Sequence, residues 1–179
     1  DVHDWDANQI PVLAELLLDG LNRKVILWAN RNGFYYVIDR ESGEFLRGRP
    51  FVKVTWATGL SPTGRPILNE SLIPSEAGTL VWPSSRGGTN WWSPSYNPST
   101  GLFYVGVEEQ PGLYYTGHAS EWRRGELYLG GSARRTGESQ TYVRALESGT
   151  GELIWEYAFE LDAGRSTSGL LSTAGQLVF

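Results

Sequence analysis

Apolar residues come in short runs, each closed by a cluster of Gly, Asn, Asp, Ser or Pro. Residues 25–29 and 34–38 are such runs, and Asp19-Gly20, Asn30-Arg31-Asn32-Gly33 and Glu41-Ser42-Gly43-Glu44 punctuate them. This order predicts two adjacent antiparallel strands joined by a tight turn. The same grammar returns at Tyr96-Asn97-Pro98-Ser99-Thr100-Gly101 before the run 102–107, and at Ser148-Gly149-Thr150-Gly151-Glu152 before 153–155. The run 10–18, with Pro11 near its start, fits a short helix or a buried strand by periodicity and is assigned as a strand.

A turn followed by a strand thus recurs at Gly43, Gly101 and Gly151, at intervals close to one four-stranded unit of about 40–50 residues. The expected fold is all-β, a partial β-propeller of about three to four four-stranded antiparallel blades forming one domain over residues 1–179. The chain starts at Asp1 and stops in the strand-like Leu177-Val178-Phe179, so the domain is expected to be truncated at both ends. Segments 58–90 and 109–137, rich in Gly, Pro, Ser and charge, lack alternation and are expected as long loop excursions off the blade edges. They either wall a binding site or are solvated insertions.

Composition agrees with many short strands: 22 Gly and 9 Pro supply turns, and 13% aromatic residues, 8 of them Trp, supply flat packing surface. With 40% hydrophobic and 20% charged residues the chain can bury a core. A net charge of −5 argues against a nucleic-acid or anionic-membrane binder, which needs a basic field. No apolar run is long enough to span a bilayer. The absence of Cys removes disulfides, Cys-ligated zinc and thiol catalysis, and His3 and His118 lack the spacing of a zinc site. Nucleophile-elbow, Walker and dinucleotide fingerprints are missing as well.

Three places can carry chemistry. In an extended His3-Asp4-Trp5-Asp6-Ala7-Asn8, residues Asp4, Asp6 and Asn8 point to one side and can converge on a hard cation; the alternative is a surface Asx-turn cluster. Arg31, in a tight turn, can offer a bidentate guanidinium to a carboxylate or quinone oxygen, or be an exposed turn residue. Gly87-Gly88-Thr89-Asn90-Trp91-Trp92 combines close backbone approach, a carboxamide and indole surface, which suits a flat cofactor; the alternative is a bulge before two core Trp residues.

Together the blocks His3–Asp6, Ala29-Asn30-Arg31-Asn32-Gly33-Phe34-Tyr35-Tyr36-Val37-Ile38-Asp39-Arg40, Gly87-Gly88-Thr89-Asn90-Trp91 and Thr173-Ala174-Gly175-Gln176-Leu177-Val178-Phe179 resemble the pyrroloquinoline-quinone (PQQ)-dependent alcohol dehydrogenases over nearly the whole chain. The resemblance implies an eight-bladed propeller and hydride transfer from an alcohol to bound PQQ with a metal ion assisting. Asp6 matches the family's catalytic aspartate, which is also near the metal. Arg31 matches the arginine on the quinone oxygens, and Asn90 and Trp91 match cofactor-side positions.

Calcium is the implied metal, because Asn8 stands where lanthanide-using members carry a further aspartate. Thr167 departs from a Trp that faces the cofactor in well-known members, and residues 145–155 resemble a tryptophan-docking motif with Trp155 packed between blades. The implied partners are a small alcohol and an electron acceptor such as a cytochrome c or a quinone, in the periplasm. The isolated segment is expected to be inactive, since a propeller site closes around its axis. The alternatives are a non-catalytic propeller scaffold of the same repeat type and a PQQ-dependent sugar dehydrogenase.

Overall fold

The computed structural model of the chain describes residues 2–117, 121–126, 128–160 and 168–179. Four strands, β1 (Val12–Leu18), β2 (Leu21–Ala29), β3 (Phe34–Asp39) and β4 (Phe45–Pro50), form an antiparallel sheet in sequence order. The β1–β2 hairpin turns on Asp19 and Gly20, both at positive φ, which suits a two-residue connection. A short pair, β5 (Ala57–Leu60) and β6 (Pro66–Leu68), a 3-10 turn at Glu70–Leu72 and β7 (Thr79–Val81) follow. The chain then builds β8 (Ser95–Asn97) and β9 (Leu102–Glu109), the hairpin β10 (Gly112–Thr116) and β11 (Gly131–Arg135), and finally β12 (Gln140–Glu147) and β13 (Leu153–Ala158). Strands β8, β9, β12 and β13 make a second four-stranded antiparallel sheet, and β7 joins the β10–β11 hairpin in a third of three strands. The described residues contain no α-helix, and the sheets do not close into a ring.

Strand β3 of the first sheet is buried on both faces, its apolar residues alternating between two cores. Tyr35 and Val37 pack with Val25 and Leu27 against Phe103, Val105 and Leu146 of the second sheet. Phe34 and Tyr36 face the other way, onto Trp5, Trp56, Val81 and Tyr114. Two polar contacts fix how the four-stranded sheets meet. The Tyr35 hydroxyl, fully buried, donates to the Ser148 carbonyl at 2.9 Å. Arg144 donates to the Phe51 carbonyl at 2.6 Å and pairs with Glu109 at 2.9 Å and Glu156 at 2.8 Å.

Turns are capped by side chains. Asp39 Oδ1 accepts from the Glu41 and Ser42 amides and the Ser42 hydroxyl, and these bonds, those of Ser42 foremost, lower its pKa to about 2. Glu147 and Asn97 cap their own turns in the same way.

Two sequence expectations change. Gly43 and Gly151 occupy equivalent corners, between third and fourth strands, whereas Gly101 joins a first strand to a second, so the three are not one repeat phase. Segments 58–90 and 109–137 are not loops alone: they carry β6, β7, β10 and β11, and β7 pairs with β10 across the sequence. Three-residue strands show too little alternation to be read locally. Trp155 is 39% exposed and tilts against Tyr104 of its own sheet at 5.8 Å.

Burial pushes the Tyr35 phenol pKa well above its usual value, so the group stays a donor. Tyr35→Phe keeps the ring but strands the Ser148 carbonyl. It should lower the unfolding free energy by about 1–2 kcal/mol in urea titration, and an unchanged midpoint would show that the bond does not tie the sheets.

Candidate functional site

In the N-terminal segment His3 and Trp5 are buried and Asp4, Asp6, Ala7 and Asn8 exposed, but Asp4 stands at φ 61°, so the segment is not the continuous extended run that would put residues 4, 6 and 8 on one side. His3 stacks on Trp5 at 4.5 Å and meets the edge of Tyr114 at 5.0 Å. The Trp5 indole donates to the Ser84 carbonyl at 2.9 Å. That bond fixes the residue beside Asp6.

The next carbonyl along, that of Ser85, accepts from the Arg31 guanidinium at 2.6 Å. Consecutive Cα atoms are only about 3.8 Å apart, so Trp5 and Arg31 dock on neighbouring points of one loop. The Arg31 amide donates to Gln9 Oε1 at 3.1 Å, and the Gly88 amide donates to the Arg31 carbonyl at 3.0 Å. Gly87, at φ 83°, lies so close that a Cβ there would stand 2.5 Å from the Arg31 carbonyl oxygen. Only glycine satisfies both the backbone angle and the contact.

Asn90 closes the loop, donating to the Arg86 carbonyl at 2.9 Å and accepting from the Trp91 amide at 2.9 Å. Trp91 is 63% exposed, whereas Trp92 is buried with the Arg86 guanidinium over its ring at 5.6 Å. The indole surface nearest the loop core is therefore that of Trp92.

Asp6 also lines a cavity of about 530 Å³, together with His3, Asp4, Tyr114, Tyr115 and Tyr128. Arg31, Asn8, Asn90 and Trp91 do not line it. Burial raises the Tyr114 phenol pKa, and the positive charge of Arg31 opposes part of that rise. The structure thus links Asp6 and Arg31 only indirectly, through Trp5 and the adjacent Ser84 and Ser85 carbonyls, and does not place them on one cavity.

Whether these residues suit a quinone and a metal can be tested on their unsatisfied atoms. Arg31 Nε is buried with no hydrogen-bond partner, a costly state that an acceptor-rich planar ligand would relieve. Asn90 keeps one amide hydrogen and one lone pair after its two local bonds. Both fit the quinone. For the metal, Asp6 offers hard oxygens, but the Asn8 carboxamide oxygen accepts from Gln9 Nε2 at 2.5 Å. Among the described residues no three His, Cys, Asp or Glu side chains are arranged to hold a metal ion, and a calcium ion takes six to eight oxygens. The expected convergence of Asp4, Asp6 and Asn8 is not seen: Asp4 and Asp6 line the cavity and Asn8 does not. Thr167 and His118 lie outside the described residues.

Sequence reasoning passed over Gln9 and the Ser84 and Ser85 carbonyls. Backbone acceptors have no residue signature; the only available signal was the Gly87-Gly88 pair, which marks a backbone that something approaches closely.

No family model matches the chain. It is 36% identical over 191 residues to the quinoprotein alcohol dehydrogenase PedH of Pseudomonas putida, covering 99% of this chain and 31% of that protein. It is also 36% identical over 189 residues to quinohemoprotein alcohol dehydrogenase ADH IIB of P. putida, covering 100% of this chain and 26% of that one. A 1-butanol dehydrogenase (cytochrome c) of Thauera butanivorans is 44% identical over 112 residues, 62% of this chain and 16% of the relative. Among solved structures, quinohemoprotein alcohol dehydrogenase ADHIIG of P. putida HK5 superposes with a TM-score of 0.85 at 33% identity, covering 98% of this chain and 28% of that chain. A europium-containing methanol dehydrogenase gives 0.86 at 27% identity, covering 98% and 32%. The chain therefore spans less than a third of the length of these relatives.

Burial of His3 among the aromatic rings lowers its pKa from 6.5 to about 4, against a smaller opposing effect of a hydrogen bond with the Leu72 backbone. The unfolded chain then binds more protons between these values, so stability contributed by neutral His3 is complete above about pH 6.5 and is lost as pH falls towards 4. In His3→Phe that part of the pH dependence should flatten relative to the parent. Parallel curves for the two proteins between pH 4 and 7 would contradict the assignment.

Proposed function

Because the chain belongs to the quinoprotein alcohol dehydrogenases as a partial segment, we propose that it forms the part of such an enzyme's propeller that carries the base and the quinone clamp. The observation that carries this reading is the docking of Trp5, next to Asp6, and of Arg31 on the adjacent Ser84 and Ser85 carbonyls.

Oxidation of an alcohol to a carbonyl compound removes one hydride from carbon and one proton from oxygen. PQQ, when bound, supplies the hydride acceptor. Asp6, at the cavity wall, takes the hydroxyl proton as general base. Arg31 would hold its positive charge towards the quinone oxygens of bound PQQ, favouring the negative charge that reduction places there. Asn90 offers its spare donor at the cofactor edge, and Trp91 adds indole surface there. The cavity beside Asp6 takes the alcohol, with its tyrosine wall suited to an apolar body.

Asp6 would offer its carboxylate oxygens to the metal, and Asn8 the lone pair of its carboxamide oxygen that Gln9 leaves free. Its identity as calcium rests on Asn8 being neutral, since a lanthanide is favoured by an additional carboxylate. Electrons leave to an acceptor such as a cytochrome c or a quinone; a relative named for cytochrome c supports the former. A periplasmic site of action follows from the same kinship.

The test places these 179 residues in exchange for the matching segment of ADH IIB, loaded with PQQ and calcium. The chimera should reduce a dye in the presence of a primary alcohol. Asp6→Asn should lower turnover by a factor of roughly a hundred or more while leaving PQQ bound. Unchanged turnover in Asp6→Asn would reject the base. A chimera that binds PQQ but oxidises no alcohol would favour a scaffold, and restoration by a light lanthanide but not calcium would overturn the metal assignment.

A further inference from the structure

Glu108, near the end of β9, is 2% exposed, yet the reaction has no step for it. Its carboxylate accepts from Arg86 Nε at 3.0 Å and from the Ser139 hydroxyl at 3.4 Å, with Arg135 Nη1 at 3.9 Å. Its own amide donates to the Gly88 carbonyl at 3.0 Å. Glu108 therefore holds the 84–90 loop twice, once by side chain through Arg86 and once by backbone at Gly88.

The two held residues flank the Arg31 contacts. Arg86 follows Ser85, whose carbonyl receives the Arg31 guanidinium; Gly88 gives its amide to the Arg31 carbonyl; Gly87, between them, touches the Arg31 backbone and side chain. The Arg86 carbonyl in turn receives Asn90. A buried ion pair adds little net stability, because desolvation offsets most of the attraction. What it adds is direction: a guanidinium–carboxylate bond fixes distance and angle, which an apolar contact does not. A displacement of the Ser85 carbonyl by about 1 Å would break its bond to Arg31, and errors of that size at a reacting centre are known to be costly.

We propose that Glu108 is a positioning residue for Arg31, acting through Arg86 and the 84–90 loop, and this rests on the reading that Arg31 meets the quinone. It sets how the clamp is aimed and touches neither cofactor nor alcohol.

Two measurements test it with Glu108→Gln, which keeps the shape and removes the charge. The first needs no cofactor: amide exchange in the 179-residue chain. The Arg31 and Gly88 amides should exchange about tenfold faster than in the parent, while the Gly43 amide, in the capped turn of the first sheet, should not change. Uniform acceleration, or none at Arg31 and Gly88, would overturn the proposal. The second is PQQ affinity in the ADH IIB chimera. Glu108→Gln should raise Kd about tenfold in the parent and less than twofold in Arg31→Ala. Equal effects in both backgrounds would show that Glu108 does not act through Arg31. If Glu108→Gln fails to fold, Glu108→Asp, which keeps the charge and shortens the reach, is read by the same two measurements. Should the chimera bind no PQQ at all, the exchange result still decides the role of Glu108, and the failure falls on the quinone reading alone.

Discussion

A short stretch of backbone, residues 84–90, is wedged between the turn at residues 30–33 and strand β9, and both candidate groups depend on it. On one side it gives carbonyls to Trp5 and Arg31. On the other it is bound to β9 and its end: the Ser84 amide to the Gln110 carbonyl, the Thr89 hydroxyl to the Gly106 carbonyl, and the Gly88 carbonyl to the Glu108 amide. Buried backbone groups must be paired, and this loop meets that demand partly within itself, Gly87 to the Ser84 carbonyl and Asn90 to the Arg86 carbonyl, and partly through other elements. Its position is set by long-range contacts and then transmitted to the site.

The two cores give the wedge its rigidity. Strand β3 faces the second sheet with Tyr35 and Val37 and the aromatic cluster with Phe34 and Tyr36, so the turn before it, which carries Arg31, is packed from both sides. The aromatic cluster also holds Trp5 between His3 and Trp56, with ring centroids 4.5 and 4.8 Å away. Trp5, beside Asp6, and Arg31 thus reach one loop from two separate segments. A fold that stacks sheets face to face can position groups distant in sequence without any one element carrying them all.

Much of this was legible from residue pattern. Strands β1 to β3 and their turns follow from alternation and from Asp19-Gly20 and Asn32-Gly33, because that information is local. The β7–β10 pairing was hidden: Thr79-Leu80-Val81 is a fragment of a strand, and its partner lies beyond the whole of β8 and β9. The same limit separates Trp91 from Trp92, since adjacent residues face opposite ways and nothing local says which is buried. The Asn8 oxygen also accepts from its neighbour Gln9, which caps Arg31, and residue type does not announce that bond. Blocks such as Asn30-Arg31-Asn32-Gly33 identified the kinship; the carbonyls of Ser84 and Ser85 that seat the arginine are invisible to any reading by residue type.

Gly87 is where the central claim is most exposed, because its missing Cβ is what lets the loop touch Arg31. The direct measurement is the PQQ affinity of the ADH IIB chimera carrying Gly87→Ala. Pushing the loop off Arg31 should weaken binding by at least about tenfold, as far as Arg31→Ala does, with no further loss when the two changes are combined. An alanine variant that folds and binds PQQ as tightly as its parent would contradict the idea that this loop sets the clamp.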